Sequence, residues 1–448
     1  MREEYSAPAG TRSFEMIEEF PRPVSADARD AAVTFGAIIV SNAFTYAFYV
    51  VVSRGLGVDS GGAVLAFSAA TLLVAAPATV IGTVLAGELA RSRGAALGAA
   101  ALGVERLALA IFGVAIVVFA LATPLVASFF HVSTLVAAAA GPAFASSLAL
   151  PFARAGLQGG HAFGSFAVSL IVEGAGKFVA GVAALLGMAT LAGTVAGYSL
   201  AQLLALAAAS LLVRGRFPAV RPARLRARPP SRSIVALGAL AVMTFADSAI
   251  ARHVLDPRAS ALFNVASLVG RALVTIVSFI PPVLVPIAAA ATPARRRSLL
   301  GGALLAIAAM AAGPAVLVAA APQHIATLIG GNAYAAAAPL VRAYVVAAVG
   351  LAFAVAIASY GVATGARRLA FPLAAIAIAE LTGYGFYHGS AADLIAVTTV
   401  GHIAAAATTA IVLFVESSRL PMPANRARDR FVEADPRDDA ELGSNPLA

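Results

Sequence analysis

RGRFPAVRPARLRARPPSRS, residues 214–233, interrupts a chain of 448 residues that is 60% hydrophobic and only 12% charged. The stretch holds seven arginines and four prolines, which favours an extended linker over a buried helix. Long apolar runs lie on both sides of it, so the linker predicts a protein of two halves. We interpret its arginines as an anchor that fixes orientation in a membrane, with a patch for lipid headgroups as the alternative.

The overall composition excludes several classes of protein. Soluble domains are about 45–50% apolar and about 25% charged, so this chain is neither disordered nor a typical cytosolic enzyme. The net charge of +9 comes mainly from arginines between apolar runs, which argues against a nucleic-acid partner. The chain has no cysteine, and its six histidines show no metal-ligand spacing. We therefore predict no catalytic residues, metal or cofactor, and we interpret His402 and Gln202 as packing hydrogen bonds.

Twelve apolar runs are long enough to cross a lipid bilayer, which takes about 20 residues for a helix. They do not alternate with the period of two that barrel strands show. The sequence therefore predicts an all-α polytopic membrane protein with six spans before the linker and six after it. The predicted spans are 33–52, 62–86, 107–128, 135–153, 163–186, 193–213, 234–251, 261–289, 299–321, 335–362, 369–387 and 394–415.

Positive charge in the connections predicts the orientation of these spans. Connections on one side hold 16 lysines and arginines, whereas those on the other side hold 3. Because basic loops stay in the cytoplasm, both termini are predicted to be cytoplasmic in the cell membrane. The polar segment 1–32 forms the N-terminal tail, and 417–448 is predicted to be a disordered tail. The two six-helix lobes are then 33–213 and 234–416.

A weak internal repeat relates the two halves. Residues 53–65 align with 251–263, and Glu173 aligns with Glu380 in a second short match. Both halves have six spans and start on the same side, which predicts a parallel repeat. Two such lobes would enclose a central cleft.

Three carboxylates inside the spans are candidates for ion coupling: Asp247, Glu173 and Glu380. A charge at the bilayer centre costs at least about 2.5–3.5 kcal/mol, so each should face protein or water. Glu173 and Lys177 are four residues apart and can pair on one helix face, either as a neutral structural pair or as a titrating relay. Asp247 has no opposite charge nearby in sequence, and function and structure are equally open for it.

Arginines within or beside the spans are candidates for binding an anionic substrate. Arg271 and Arg342 lie about a third of the way into their predicted spans, where a guanidinium needs a carboxylate, phosphate or carbonyl partner. Pairing with Asp247 or Glu380 is the structural alternative for both. The candidate substrate-binding residues are Arg54, Arg252, Arg271 and Arg342.

The turn after the first span, RGLGVDSGG (54–62), carries a recognisable pattern. Through Arg54, Leu56, Gly57, Asp59 and Gly62 it resembles the R-x-L-G-x-E-x-x-G turn of polysaccharide flippases. These belong to the multidrug/oligosaccharidyl-lipid/polysaccharide (MOP) exporter superfamily. The chain departs from that pattern where valine replaces a usual proline and glycine a usual tyrosine.

Three further stretches resemble the same family in the same order. They are RAGLQGG (154–160), PPVLVPIA (281–288) and GNAYAAAAPL (331–340), and together with the first turn the resemblance extends over 33–416. It implies an alternating-access carrier whose cleft is lined by spans 1, 2, 7 and 8. The cargo it implies is a polyprenyl-diphosphate-linked oligosaccharide, with membrane lipids and a glycan polymerase or glycosyltransferases as partners.

Two other functions stay open at this point. The superfamily also contains ion-coupled exporters of small amphiphiles, which favour acidic residues in the cleft. A membrane-embedded glycan transferase or ligase is the third hypothesis, although such an enzyme should carry a large outer loop. Arginine suits a diphosphate because its planar fork holds phosphate through two hydrogen bonds. We therefore expect a non-enzymatic flippase.

Overall fold

The computed structural model describes residues 24–92, 94–217, 231–277, 293–364, 366 and 368–416. These residues form fourteen α-helices and one short 3₁₀ helix, and no strand occurs among them. The N-terminal helices are α1 (Val24–Gly55), α2 (Gly57–Leu89), α3 (Gly94–Leu121), α4 (Thr123–Phe130), α5 (Thr134–Gly159), α6 (Phe163–Leu185) and α7 (Leu191–Arg216). The C-terminal helices are α8 (Ser231–Val254), α9 (Pro257–Val277), α10 (Pro293–Ala320), α11 (Pro322–Gly330), α12 (Ala338–Thr364), α13 (Ala370–Phe386) and α14 (Ala391–Glu416), with the 3₁₀ helix Asn332–Ala337 before α12.

Parts of the predicted architecture lie outside the described residues. These are most of both tails, the middle of the basic linker (218–230) and the PPVLVPIA stretch with the end of the eighth predicted span. The ends of the linker are helical, because α7 extends to Arg216 and α8 begins at Ser231.

The membrane spans follow the predicted order. Ten helices are long and apolar enough to cross a bilayer. The bent pair α10–α11 passes the same test when its two helices are taken together, and the 17-residue helix Ala370–Phe386 is apolar but shorter. Together these account for the twelve predicted positions, and the protein is an all-helical, multi-pass membrane protein.

The third predicted span, 107–128, was placed too late in the chain. Its helix, α3, starts at Gly94 and ends at Leu121, and α4 follows as a separate short helix. The prediction stopped at the charges of Glu105 and Arg106. However, Glu105 is buried and accepts from Arg214 of α7 at 2.9 Å, so the charge is paired inside the lobe and the helix continues through it.

The connection after the ninth span also differs from the expected short loop. α10 and α11 meet at an angle of 87°, with Pro322 at the start of α11. A proline is tolerated in the first turn of a helix but cannot continue the preceding one, so the chain turns there. The predicted tenth span, 335–362, lies within the observed span Asn332–Val362, which starts as the 3₁₀ helix and continues as α12 from Ala338.

The two lobes repeat the same helix packing in the same direction. In the N-terminal lobe α1 packs on α6, α2 and α3 pack on α5, and α7 packs on α5 and α6. The C-terminal lobe repeats each pair: α8 packs on α13, α9 and α10 on α12, and α14 on α12 and α13. A short helix follows the third span of both lobes, namely α4 and α11. This confirms the parallel repeat predicted from the span count.

The lobes meet along one end, which we call the seam. Tyr334 donates to the carbonyl of Val58 at 3.1 Å, and the Asn264 amide donates to the carbonyl of Gly62 at 3.4 Å. A side chain on Gly62 would overlap Ala261 of α9, so glycine permits this close approach between α2 and α9. The family-like turn after α1 is therefore part of the contact between the lobes.

Candidate functional site

A cavity of about 620 Å³ lies between the lobes, and we call it the cleft. The residues of α1, α2, α8 and α9 that line the cleft lie further along each helix than the residues that form the seam. The four helices that the resemblance implied therefore line the cleft, and α6 adds a charged wall. Polar and charged side chains in the lining are Ser41, Asn42, Thr45, Tyr46, Tyr49, Thr79, Glu173, Lys177, Thr244, Arg271 and Thr275.

On the N-terminal side of the cleft, Glu173 lies between two cations. Lys177, one helical turn further along α6, is 2.5 Å from one carboxylate oxygen, and Arg154 of α5 is 2.8 Å from the other. Arg154 also donates to the hydroxyl and the carbonyl of Ser169, which holds it in place. The cluster therefore has one carboxylate for two cations and a residual positive charge. Glu173 accepts from both cations and is not a free acid.

On the opposite wall, Arg271 of α9 pairs with no carboxylate among the residues that the structure describes. It is 92% buried, since its relative exposure is 8%, and within the described part of the chain its Nε and Nη1 atoms meet no hydrogen-bond partner. The guanidinium carbon lies 5.9 Å from the ring centre of Phe245, which borders the same cavity. A buried guanidinium with unused donors is a strong site for an anion, because an unpaired buried charge is costly until a ligand neutralises it.

Aromatic hydroxyls lie between the two charged walls. The Tyr46 hydroxyl is 3.4 Å from that of Thr275, a contact that joins α1 to α9 across the cleft. The Tyr49 hydroxyl accepts from Ser68 at 2.9 Å, and Lys177 lies 4.8 Å from the ring centre of Tyr198. The cleft thus combines cations with aromatic and hydroxyl groups, a lining suited to a polar anionic ligand.

Arg54 and Arg252 lie at the seam and not in the cleft. Arg54 donates to the Leu328 carbonyl at 2.6 Å, near the end of α11. Arg252 is buried and donates to the Phe130 carbonyl at 3.0 Å, at the end of α4. Each arginine therefore ties its own lobe to the short helix of the other lobe. The guanidinium of each is engaged with backbone carbonyls.

Arg342 lies away from the cleft, on the surface beside the bend between α10 and α11. It is exposed, and its Nε donates to the Ala319 carbonyl at 3.1 Å. Carbonyls at a helix C-terminus lack partners within the helix, so Arg342 caps the end of α10. The cleft does not bring Arg342 together with Arg271.

Asp247 is buried in the C-terminal lobe with its own set of donors. Its oxygens accept from Tyr344 at 2.5 Å, from Ser267 at 2.9 Å and from the Ser248 amide at 2.6 Å. No ion pair within 4 Å joins it to Arg271 among the described residues. The structural alternative, in which these two groups pair, is therefore not formed.

Glu380 of α13 is also buried and lies apart from both candidate arginines. One of its oxygens accepts from Tyr384 at 2.6 Å and is 3.7 Å from Nε2 of His402, while the other oxygen has no hydrogen-bond partner among the described residues. Glu380 lines a second cavity, of about 430 Å³, between α13 and α14. It occupies the same lobe position as Glu173, yet only Glu173 faces the cleft.

Sequence reasoning missed the contribution of Arg154 and of the tyrosines on α1. Arg154 was counted among the cytoplasmic loop cations, whereas it lies inside α5 and pairs with Glu173. Its place in the RAGLQGG motif was the available signal. Tyr46 and Tyr49 gave no signal, since aromatic residues in an apolar span are usually packing residues.

Comparisons with known proteins give a clear result for the fold alone. No protein-family model and no curated protein sequence matches the chain. An inward-facing structure of a multidrug resistance MATE family transporter of the MOP superfamily aligns with a TM-score of 0.70 and 13% identity, over 88% of this chain and 99% of that chain.

Two further solved structures agree with that match. An outward-facing structure of a multidrug resistance MATE family transporter aligns with a TM-score of 0.63 and 14% identity, over 88% of this chain and 96% of that one. A eukaryotic MATE transporter aligns with a TM-score of 0.54 and 13% identity, over 90% and 99%. The chain therefore has the two-lobed fold of the MATE transporters of the MOP superfamily.

Proposed function

We propose that this protein is an alternating-access flippase that moves a polyprenyl-diphosphate-linked oligosaccharide or a related polysaccharide precursor across the cell membrane. The observation that carries the proposal is Arg271, a buried guanidinium that borders the cleft and whose Nε and Nη1 donors have no partner among the described residues. Each of those N–H groups can donate to a phosphate oxygen.

The charge balance of the cleft supports an anionic cargo. The negative charge of Glu173 is balanced by Lys177 and exceeded by positive charge once Arg154 is included. Arg271 adds a further cation, which pairs with no carboxylate among the described residues. A diphosphate headgroup would supply the missing negative charge between the two walls. The volume of about 620 Å³ falls within the range of about 300–1,000 Å³ usual for ligand sites, so a compact headgroup fits while the lipid chain stays in the bilayer.

Closure of the lobes at the seam supports alternating access. Contacts such as Tyr334 to Val58 join the lobes at one end, while the cleft lies further along the same helices. The basic linker enters α8 at the end of the lobe remote from the seam. If that linker is cytoplasmic, as its charge predicts, the cleft faces inward and the seam is the outer gate. The higher TM-score to the inward-facing MATE structure agrees with this assignment.

The second candidate is an ion-coupled exporter of small amphiphiles. It is favoured by the solved structures of similar fold, two of which are described as multidrug resistance transporters, and by the aromatic side chains of Tyr46, Tyr49 and Phe245 in the cleft. Aromatic faces attract organic cations. However, such cations would meet Arg271 and Lys177 in the same cavity, which is unfavourable.

A pair of binding measurements separates the two candidates. Farnesyl diphosphate serves as a short-chain lipid diphosphate, and ethidium serves as an amphiphilic cation. We expect the purified protein to bind farnesyl diphosphate, and this binding should weaken in Arg271→Met but not in the surface variant Arg91→Lys. Ethidium binding without any diphosphate binding would contradict the flippase proposal and favour the second candidate.

The natural cargo can be read from a strain in which the gene is deleted. A flippase defect should leave its lipid-linked substrate on the inner leaflet, where mass spectrometry of extracted lipids would detect a diphosphate-linked oligosaccharide. An unchanged lipid profile together with raised sensitivity to amphiphilic cations would favour multidrug export.

A further inference from the structure

The bend between α10 and α11, which we call the elbow (residues 319–324), borders a further cavity of about 570 Å³. The other wall of this cavity is formed by Pro339, Arg342 and Ala343 of α12. None of the described residues that line it is acidic. The cavity is separate from the cleft, because the described residues that line the one do not line the other.

Arg342 gives this cavity a permanent positive charge, since arginine stays protonated in proteins. Its Nε atom donates to the carbonyl of Ala319 at 3.1 Å, which fixes the guanidinium beside the end of α10. Within the described residues, neither Nη1 nor Nη2 makes a hydrogen bond or an ion pair. The N–H groups of these two atoms are therefore left for a ligand.

The elbow marks the level at which the membrane-crossing part of α10 ends. α11 turns away at 87°, so it runs across the end of the lobe and along the membrane surface. Its buried residues Pro322, Ala326 and Gly330 recur every four positions, which places one helix face on the protein. Gln323 and His324 are exposed. This is the arrangement of a helix that lies in the membrane interface, so Arg342 is held near the depth of the lipid headgroups.

The surface next to Arg342, toward the middle of the membrane, is apolar and faces the lipid. Val346, one turn further along α12 on the same face, is 54% exposed. Val316 and Leu317 of α10, which packs on α12, are also exposed. A cation at the end of the span, followed by apolar surface toward its middle, has the same order as the headgroup and acyl chains of a phospholipid.

We propose that the elbow binds an anionic phospholipid, with its phosphodiester on Arg342 and its acyl chains along Val346, Val316 and Leu317. A guanidinium suits this group because its N–H donors match phosphate oxygens. The described lining offers no carboxylate to an ammonium group, so phosphatidylglycerol is favoured over phosphatidylcholine. The site does not rest on the proposed cargo, since Arg342 does not border the cleft.

The N-terminal lobe offers an internal comparison for this site. Arg342 is the fifth residue of α12, and the fifth residue of α5, the matching helix of the other lobe, is Ala138. Ala138 is also exposed. Because alanine carries no charge, we expect the lipid-facing surface of α5 to show no preference for an anionic headgroup.

A tryptophan reporter tests the site, because the chain has no tryptophan of its own. Val346→Trp places the reporter beside the elbow, and Leu135→Trp places it at an exposed position of α5. Each variant is reconstituted in vesicles of phosphatidylcholine with a minor fraction of phosphatidylglycerol. One of the two lipids carries brominated acyl chains, which quench tryptophan fluorescence on contact.

We expect brominated phosphatidylglycerol to quench Val346→Trp about fivefold more effectively per molecule than brominated phosphatidylcholine, the ratio expected for one arginine near an anionic lipid. The two lipids should quench Leu135→Trp equally. Equal quenching of Val346→Trp by both lipids would overturn the proposal.

Charge variants in the Val346→Trp background separate lipid binding from the capping of α10. Arg342→Gln removes the charge, while its side-chain amide can still donate to the Ala319 carbonyl, so the preference for phosphatidylglycerol should disappear without a loss of folding. Arg342→Lys keeps the charge and should retain a preference. Arg258→Ala, which changes an exposed arginine at the start of α9, is the control and should leave the preference unchanged.

A full preference for phosphatidylglycerol in folded Arg342→Gln would contradict the role of this arginine. If that variant does not fold, the salt dependence of Val346→Trp quenching provides the test. Raising the ionic strength should reduce the preference, because salt screens charges at the surface, and a preference that salt does not change would contradict an electrostatic contact.

Competition with a soluble phosphate identifies the source of the anion. Glycerol 3-phosphate carries a phosphate without acyl chains, so it should not displace brominated phosphatidylglycerol from the elbow. Displacement would overturn the lipid assignment and indicate a site for a soluble anion. If the lipid preference is found but the protein binds no farnesyl diphosphate, the proposed cargo fails and the lipid site stands.

Discussion

Replacing Arg271 should weaken substrate binding and at the same time stabilise the empty protein. Two of its guanidinium nitrogens are buried without hydrogen-bond partners in the part of the chain that the structure describes. Leaving such groups unsatisfied costs about 1–3 kcal/mol, and a bound phosphate would remove that cost. Methionine has a similar length and would keep the packing on Phe245 without the charge. We therefore expect Arg271→Met to unfold at a higher temperature than the wild-type protein.

The expected loss of affinity follows from the number of donors. A hydrogen bond to a charged group contributes about 1.5–3 kcal/mol. Arg271→Lys keeps the charge but loses one arm of the fork, which corresponds to about 10- to 150-fold weaker binding at about 1.4 kcal/mol per factor of ten. Arg271→Met loses both arms, about 3–6 kcal/mol, or roughly 10²- to 10⁴-fold.

Calorimetric titration with farnesyl diphosphate and a thermal melt of the same samples measure both effects. Arg91→Lys is the control, because that side chain is 74% exposed and pairs with Glu88 on the surface. The double variant Arg271→Met with Asp247→Asn should bind no better than Arg271→Met, since the two residues do not pair. Wild-type affinity in Arg271→Lys, recovery in the double variant, or a lower melting temperature of Arg271→Met would refute the reasoning.

Three further predictions concern the charged wall, the seam and the topology. Glu173→Gln should lower the unfolding free energy by about 3–5 kcal/mol, as seen in a thermal melt, because it leaves two buried cations without their carboxylate; unchanged stability would contradict the cluster. Gly62→Val should force the seam open, because its side chain would overlap α9. The opening is measured as faster maleimide labelling of Ser53→Cys, a buried position beside the seam that would carry the sole thiol of that variant. An unchanged labelling rate would show that α2 and α9 do not need this close approach. Reporter fusions after Arg232 and after Gly389 should read cytoplasmic and external, respectively, and the same side for both would disprove the predicted topology.

Much of the fold could be predicted because it depends on local properties of the chain. The length and apolarity of each run determine whether it can span a bilayer, and the linker at 214–233 divides the spans six and six. The errors occurred where a charge was taken as a boundary. Glu105 and Arg106 lie inside α3 because the Glu105 charge is paired with Arg214, a residue more than a hundred positions away.

The candidate site was harder to predict than the fold. The sequence identified Arg271 as a cation inside a span, but it offered Asp247 as a partner just as readily. It also grouped Arg54, Arg252 and Arg342 with Arg271, although carbonyls at helix ends engage those three. Sequence spacing predicts partners within one helix, such as Glu173 and Lys177, but does not predict partners on different helices.

The sequence by itself determined the number of spans, their order, the two-lobe repeat and the Glu173–Lys177 pair, because each depends on neighbours along the chain or within one helical turn. Only the tertiary structure decided that Arg154 joins that pair, that Asp247 is satisfied by hydroxyls, and that Arg271 is left with unused donors in the cleft. The physical reason is that the cost of a charge in a membrane depends on which groups other helices bring within hydrogen-bonding distance, and helix packing sets those distances.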